Sequence, residues 1–322
     1  MLQSYLGSTV VDARTGQVRW TSATPLTSMA GGRVGLVYDQ EFRPGTEYDE
    51  ATGAAGPLYP SASGVFHTEP PVRTTLRALD MRNGRELWRT GFAGLVIAAD
   101  GTSDPGAIVV VAADRISLLA AATGAVLRER RLTGPAPAEV AFGDSGGGMV
   151  LLRHGTGEGG TVTAYSIATL EPVWHRSEPI AGSPSFCAGM LCDDDGNGVV
   201  VLDPATGQPR WRTGAGALFG RDQAIVEVDS RENRPVALHD PATGAIRVAL
   251  DGWTWFAYGR DDSPLVLGRL DGTRTLFGVL IPARRAVQPL GYAPTPLTSC
   301  ESDDRYVACR MTGGVEVWAY LS

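Results

Sequence analysis

Few residues in this sequence have the type and spacing that chemistry requires. The four histidines, His67, His154, His175 and His239, show neither the H-x-x-x-H nor the H-E-x-x-H spacing that turns two imidazoles toward one metal. Gly143-Asp144-Ser145-Gly146-Gly147 has the form of a serine-protease nucleophile, a chemistry that needs a His base and a buried Asp earlier in the chain. The only upstream histidine is His67, which lacks an Ala-Ala-His-Cys setting. Apolar runs at Val140-Ala141-Phe142 and Met149-Val150-Leu151-Leu152 flank the serine, so the motif reads as a hairpin turn. Asp193-x-Asp195-x-Asn197-Gly198 matches the first half of a calcium loop, but its twelfth position, where a bidentate carboxylate closes such a loop, is Pro204. That segment reads as a solvated acidic turn. His154 borders the Gly-rich stretch Gly155–Gly160, which reads as a loop and not as a phosphate cradle.

All 28 basic residues are Arg and there is no Lys, which removes Schiff-base chemistry, the P-loop lysine and Ser–Lys dyads. A net charge of −7 argues against nucleic acid or an anionic membrane surface as partner. No apolar run approaches the roughly 18 residues of a membrane-spanning helix. The first residues, Met1-Leu2-Gln3-Ser4-Tyr5-Leu6-Gly7, lack the basic start and apolar centre of an export signal. The 41 Gly and 21 Pro of 322 residues point to many turns.

Those turns recur at a fixed spacing. Val10-Val11-Asp12-Ala13-Arg14-Thr15-Gly16 is followed by Trp20, and Leu79-Asp80-Met81-Arg82-Asn83-Gly84 by Trp88. Leu202-Asp203-Pro204-Ala205-Thr206-Gly207 precedes Trp211, and His239-Asp240-Pro241-Ala242-Thr243-Gly244 has Val248 in the Trp place. Weaker copies end at Gly124, at Leu170 (with Trp174) and near Arg284. Marks at 16, 84, 124, 170, 207, 244 and about 284 give a period near 40, enough for four short strands and their turns. Asp and Thr side chains can bond the turn backbone and Gly supplies positive φ. His175, next to Trp174, and His239, in the Leu place before Asp240, therefore read as structural.

An apolar strand, Asp-x-x-Thr-Gly and a Trp four residues later resemble the repeat of the PQQ-like (quinoprotein-type) β-propellers of bacteria, over residues 9 to 320. The resemblance implies an all-β fold, a single propeller domain over 1–322, in which Trp20, Trp88, Trp174 and Trp211 dock between neighbouring blades. Seven marks imply seven four-stranded blades, closed by the N-terminal strand joining the C-terminal blade. The step of 68 leaves a surplus at about 40–69, read as a loop insertion; Asp49-Glu50-Ala51-Thr52-Gly53 inside it makes eight blades the alternative. Glu41, Phe42, Arg43, Tyr48, Tyr59, Phe66 and His67 would cover one mouth of the channel, and Phe42, Arg43, Tyr48, Tyr59 and His67 are the candidate binding residues.

Cys187 and Cys192 flank Ala188-Gly189-Met190-Leu191, which fits a two-residue hairpin with Gly first, placing the cysteines opposite each other with Cα atoms about 4.5 Å apart. A turn centred on Asp304-Arg305 does the same for Cys300 and Cys309. Two hairpin disulfides follow, with buried thiols or zinc as rivals; the intervening spacings of four and eight residues fit zinc poorly. Disulfides imply an extracytoplasmic protein, with any signal or membrane anchor outside this sequence. The function expected is non-catalytic binding of a protein or small ligand by a monomer, with no metal and no cofactor. A lyase or hydrolase at the channel mouth is the alternative. A PQQ-dependent dehydrogenase would need adjacent cysteines or another platform, a Ca²⁺ set and an Asp base, and the chain has no adjacent cysteines and about half the length usual for that class.

Overall fold

The computed structural model describes all residues except 1, 5–6, 13–14, 16, 30–31, 50–57, 62–63, 101–105, 135–136, 138, 144–147, 156–159, 178–184, 195–197, 215, 222–223, 260–263, 282–283, 295–296, 298, 303–304, 312–313 and 320–322. Among the described residues every regular element is a strand. Eight sheets, antiparallel but for one short strand, follow one another along the chain. The first holds Leu2–Ser4, Gly7–Val11 and Val18–Ser22, and the second Thr27–Met29, Val34–Glu41, Arg73–Asp80 and Glu86–Ala93. The third holds Ile97–Asp100, Ala107–Val111, Arg115–Ala120 and Val126–Arg131; the fourth, Glu139–Gly143, Met149–His154, Thr161–Ser166 and Pro172–Arg176. Ser185–Cys187, Met190–Asp194, Val199–Leu202 and Pro209–Arg212 form the fifth, and Ala217–Arg221, Ala224–Asp229, Arg234–His239 and Ile246–Ala249 the sixth. The seventh consists of Trp255–Phe256, Val266–Asp271, Arg274–Ile281 and Ala286–Pro294. The eighth consists of Ser299–Ser302, Tyr306–Met311 and Gly314–Ala319, with Tyr258–Gly259 running parallel beside Ser299–Ser302.

The chain forms two compact units, Met1–Gly155 with Thr163–Val173, and Thr156–Val162 with Trp174–Ser322. The first contains sheets one to three, the second sheets five to eight, and the strands of the fourth are divided between them. Within each unit the apolar clusters lie between consecutive sheets. Leu36, Leu76 and Ala78 of the second sheet meet Ile108, Val110 and Leu119 of the third. Val226 and Leu238 of the sixth meet Leu267 and Leu280 of the seventh. A strand covered on both faces has no solvent side, so Ala107–Val111 is buried at all five positions and shows a continuous apolar run instead of alternation. The fourth strand, Val126–Arg131, is mostly exposed, and its Arg and Glu residues reflect that.

Counting turns yields seven blades, whereas the described strands form eight successive blade sheets, seven four-stranded and one three-stranded, besides a two-stranded hairpin at Tyr59–His67. Each of the seven marks belongs to its own sheet, and the eighth sheet, at the C-terminus, has no Asp-x-x-Thr-Gly sequence between its last two strands. The expected closure strand is also different: Leu2–Ser4 folds back on Gly7–Val11, with Ser4 opposite Gly7, and the N-terminal strands form the first sheet. Among the described residues no hydrogen-bonded ladder joins them to the C-terminal sheet. Register supports this assignment. The third and fourth strands slip just before the turn at Val10/Val11, Ala78/Leu79, Leu118/Leu119, Val201/Leu202 and Leu238/His239, so Gly7–Val11 and Val18–Ser22 are the third and fourth strands of their own repeat.

The repeat turn is held by its own residues. Gly207 N–H donates to the Asp203 carbonyl at 2.7 Å, Ala205 N–H to Asp203 Oδ1 at 2.8 Å and Gln208 N–H to Thr206 Oγ1 at 3.3 Å. Onto this turn docks the Trp of the preceding sheet. The indole N–H groups of Trp20, Trp88, Trp174 and Trp211 donate to the carbonyls of Met81, Ala121, Pro204 and Pro241, each three residues before the turn glycine. The indole covers that glycine so closely that a Cβ on Gly124 or Gly244 would lie 2.6 Å from the ring. Among the described residues the turns at Leu170 and Arg285 receive no Trp, since Arg128 and Val248 occupy the Trp position before them, and their positive-φ residues are Leu170 (φ 59°) and Arg285 (φ 50°). The last is one residue beyond the mark expected near 284.

Both cysteine pairs are disulfides. Cys300 and Cys309 are direct partners, with Cα atoms 4.1 Å apart. For the other pair the hairpin differs from expectation. Cys187 faces Met190 and Cys192 faces Ser185, so the loop residues are Ala188 (φ 47°) and Gly189 (φ 79°), a type I′ combination. Moving a two-residue loop by one position shifts the register by two. Both cysteines therefore stay on one face, but as diagonal neighbours with Cα atoms 6.0 Å apart.

Candidate functional site

Strands Val34–Glu41 and Arg73–Asp80 pair over their full length, from Val34 opposite Asp80 to Glu41 opposite Arg73. The chain between them leaves the second sheet and returns to it. Within this excursion Tyr59–Pro60 pairs with Phe66–His67, and Glu47 bridges to His67 on the other side. The hairpin closes through Ser61 N–H to the Val65 carbonyl (2.8 Å) and Gly64 N–H to the Ser61 carbonyl (3.0 Å), Gly64 having a φ of 81°. Residues 50–57, including Glu50 to Gly53 of the repeat-like turn, lie outside the described residues.

Two of the five candidate residues, Phe42 and Tyr59, lie directly against a third, His67. Its ring stacks on Phe42, with centroids 3.8 Å apart and planes 5° from parallel. Thr46 Oγ1 donates to the Arg43 carbonyl at 2.8 Å and lies 3.0 Å from His67 Nδ1. A hydroxyl has one proton; with that proton on Arg43, the second bond is donated by Nδ1–H of His67. Tyr59 is the direct strand partner of His67, and Tyr48 N–H donates to the Phe66 carbonyl at 2.7 Å. Arg43 extends outward to Glu69 at 3.4 Å in an exposed ion pair.

Strand alternation then sends the next side chain the opposite way. His67 is 7% exposed and Phe66 is 48% exposed. Leu58, Val65 and Val72 of the same excursion are exposed as well. A folded hairpin with a polar, hydrogen-bonded inner side thus presents apolar side chains outward. Phe66 is among the residues named from sequence; Leu58 and Val65 lie in the same insertion without being named, and Val72 lies beyond it. Short apolar residues in a Gly/Pro-rich stretch carry no sign of which face they occupy.

The remaining histidine with fully assigned contacts is structural. His239 lies 2.9 Å from Glu227 Oε2 through Nε2 and 3.0 Å from the Gly244 carbonyl through Nδ1, and its ring packs beside Trp211. Among the described residues no three His, Cys, Asp or Glu side chains gather as metal ligands. The protease-like serine at 144–147, most of the Gly-rich stretch after His154 and positions 195–197 of the half calcium loop lie outside the described residues.

Consecutive four-stranded sheets, with a recurring Asp-x-x-Thr-Gly type of turn and four turns locked by the Trp of the preceding sheet, define a β-propeller of the PQQ-like repeat class. Residues 72–249 match the family model described as outer membrane protein assembly factor BamB, and the chain belongs to that family. BamB from Moraxella catarrhalis is similar at 16% identity and a TM-score of 0.48, with 95% of this chain and 89% of that chain covered. A eukaryotic initiation factor superposes with a TM-score of 0.61 at 11% identity, covering 98% of this chain and 81% of that one. The Pan2 WD40 domain from Neurospora crassa is similar at 10% identity and a TM-score of 0.44, covering 98% and 90%. No curated protein matches the sequence.

Proposed function

We propose that this chain is a non-catalytic, extracytoplasmic propeller that binds a protein partner through the excursion between residues 41 and 73, with Phe42, Arg43, Tyr48, Tyr59 and His67 building the platform and Phe66 meeting the partner. One observation carries the reading: the segment is folded and internally bonded around His67, yet its apolar side chains face solvent. Membership in a family described by an outer membrane protein assembly factor supports a protein partner, and the two disulfides support an oxidising compartment. Among the described residues the imidazole of His67 meets a hydroxyl and an aromatic face. We propose neither metal nor quinone at this site, and a monomer as the binding unit.

The test is a photo-crosslinking amino acid at position 66 of the protein in its native cells, with position 126 on an exposed fourth strand as control. A discrete adduct at 66 and none at 126 is the expected result. Equal labelling at both positions, or none at 66, would overturn the reading.

A further inference from the structure

No further inference is drawn: the strongest candidate, the outer edge of the eighth sheet at Gly314–Ala319, which has no fourth strand beside it among the described residues and leaves Val317 exposed, carries nothing because nothing in the structure shows what covers it.

Discussion

Each docked tryptophan in this chain requires a particular glycine, and the requirement has two parts. The turn needs a positive φ, which Leu170 and Arg285 also adopt, so φ alone does not demand Gly. The indole stacked on the turn does, because a Cβ on Gly244 would lie 2.6 Å from Trp211. We predict that Gly244→Ala costs about 2 kcal/mol in urea unfolding and that the cost shrinks in a Trp211→Ala background, where the colliding ring is gone. Asp240 of the same turn accepts from Thr243 and pairs with Arg247, which holds its carboxyl at about 2 against an ordinary 3.8. A folded-state value below the unfolded one adds stability above the unfolded value and loses it as pH falls toward the folded one. Melting temperature should therefore drop between about pH 4 and pH 2, and Asp240→Asn should flatten that drop. Asp203, held down chiefly by Arg210, contributes in the same direction. His239 stands beside two acceptors, Glu227 and the Gly244 carbonyl. His239→Leu should cost about 2 kcal/mol by stranding the Glu227 carboxylate, and adding Glu227→Gln should return part of it in a double-mutant cycle.

At the scale of elements, hairpins decide what the residues can do. The Cys300–Cys309 bridge joins direct partners, and the Cys187–Cys192 bridge joins diagonal ones. Both connect neighbouring antiparallel strands of one sheet. Replacing Cys300 and Cys309 by Ser should lower stability by about 2–3 kcal/mol, read by urea melts of the oxidised protein and lost when wild type is reduced. Parity made the bridges legible in the sequence: two cysteines flanking a two-residue loop face the same side whichever neighbouring pair of residues forms the loop. The loop position itself was not legible, because Ala188 takes a positive φ that its residue type disfavours and only the flanking strands enforce. The hairpin at Tyr59–His67 was missed for a related reason. Two-residue strands have no periodicity to detect, and their pairing depends on Thr46, Phe42 and Glu47 arriving from elsewhere.

At the scale of the whole molecule, the disulfides and the family point to one measurable outcome. Protein made in an oxidising compartment should show no alkylated cysteine by intact mass, and protein made in a reducing cytosol should show all four and melt at lower temperature. The repeat period, the turn chemistry and the all-β class were determined by sequence alone, because each rests on interactions within about ten residues of chain. The number of sheets was not. Seven turns mark seven repeats, but a sheet without that turn, Ser299 to Ala319, becomes visible only when its strands find each other. The N-terminal strands likewise had two conceivable partners, and the register with Gly7–Val11 chose between them. The candidate residues of the excursion were legible as a list of aromatic and charged side chains. Which of them turn inward onto His67, and which face outward as Phe66 does, was decided by pairing between segments about 20 residues apart in sequence. Side-chain direction in a strand follows register, and register is a property of two segments, never of one.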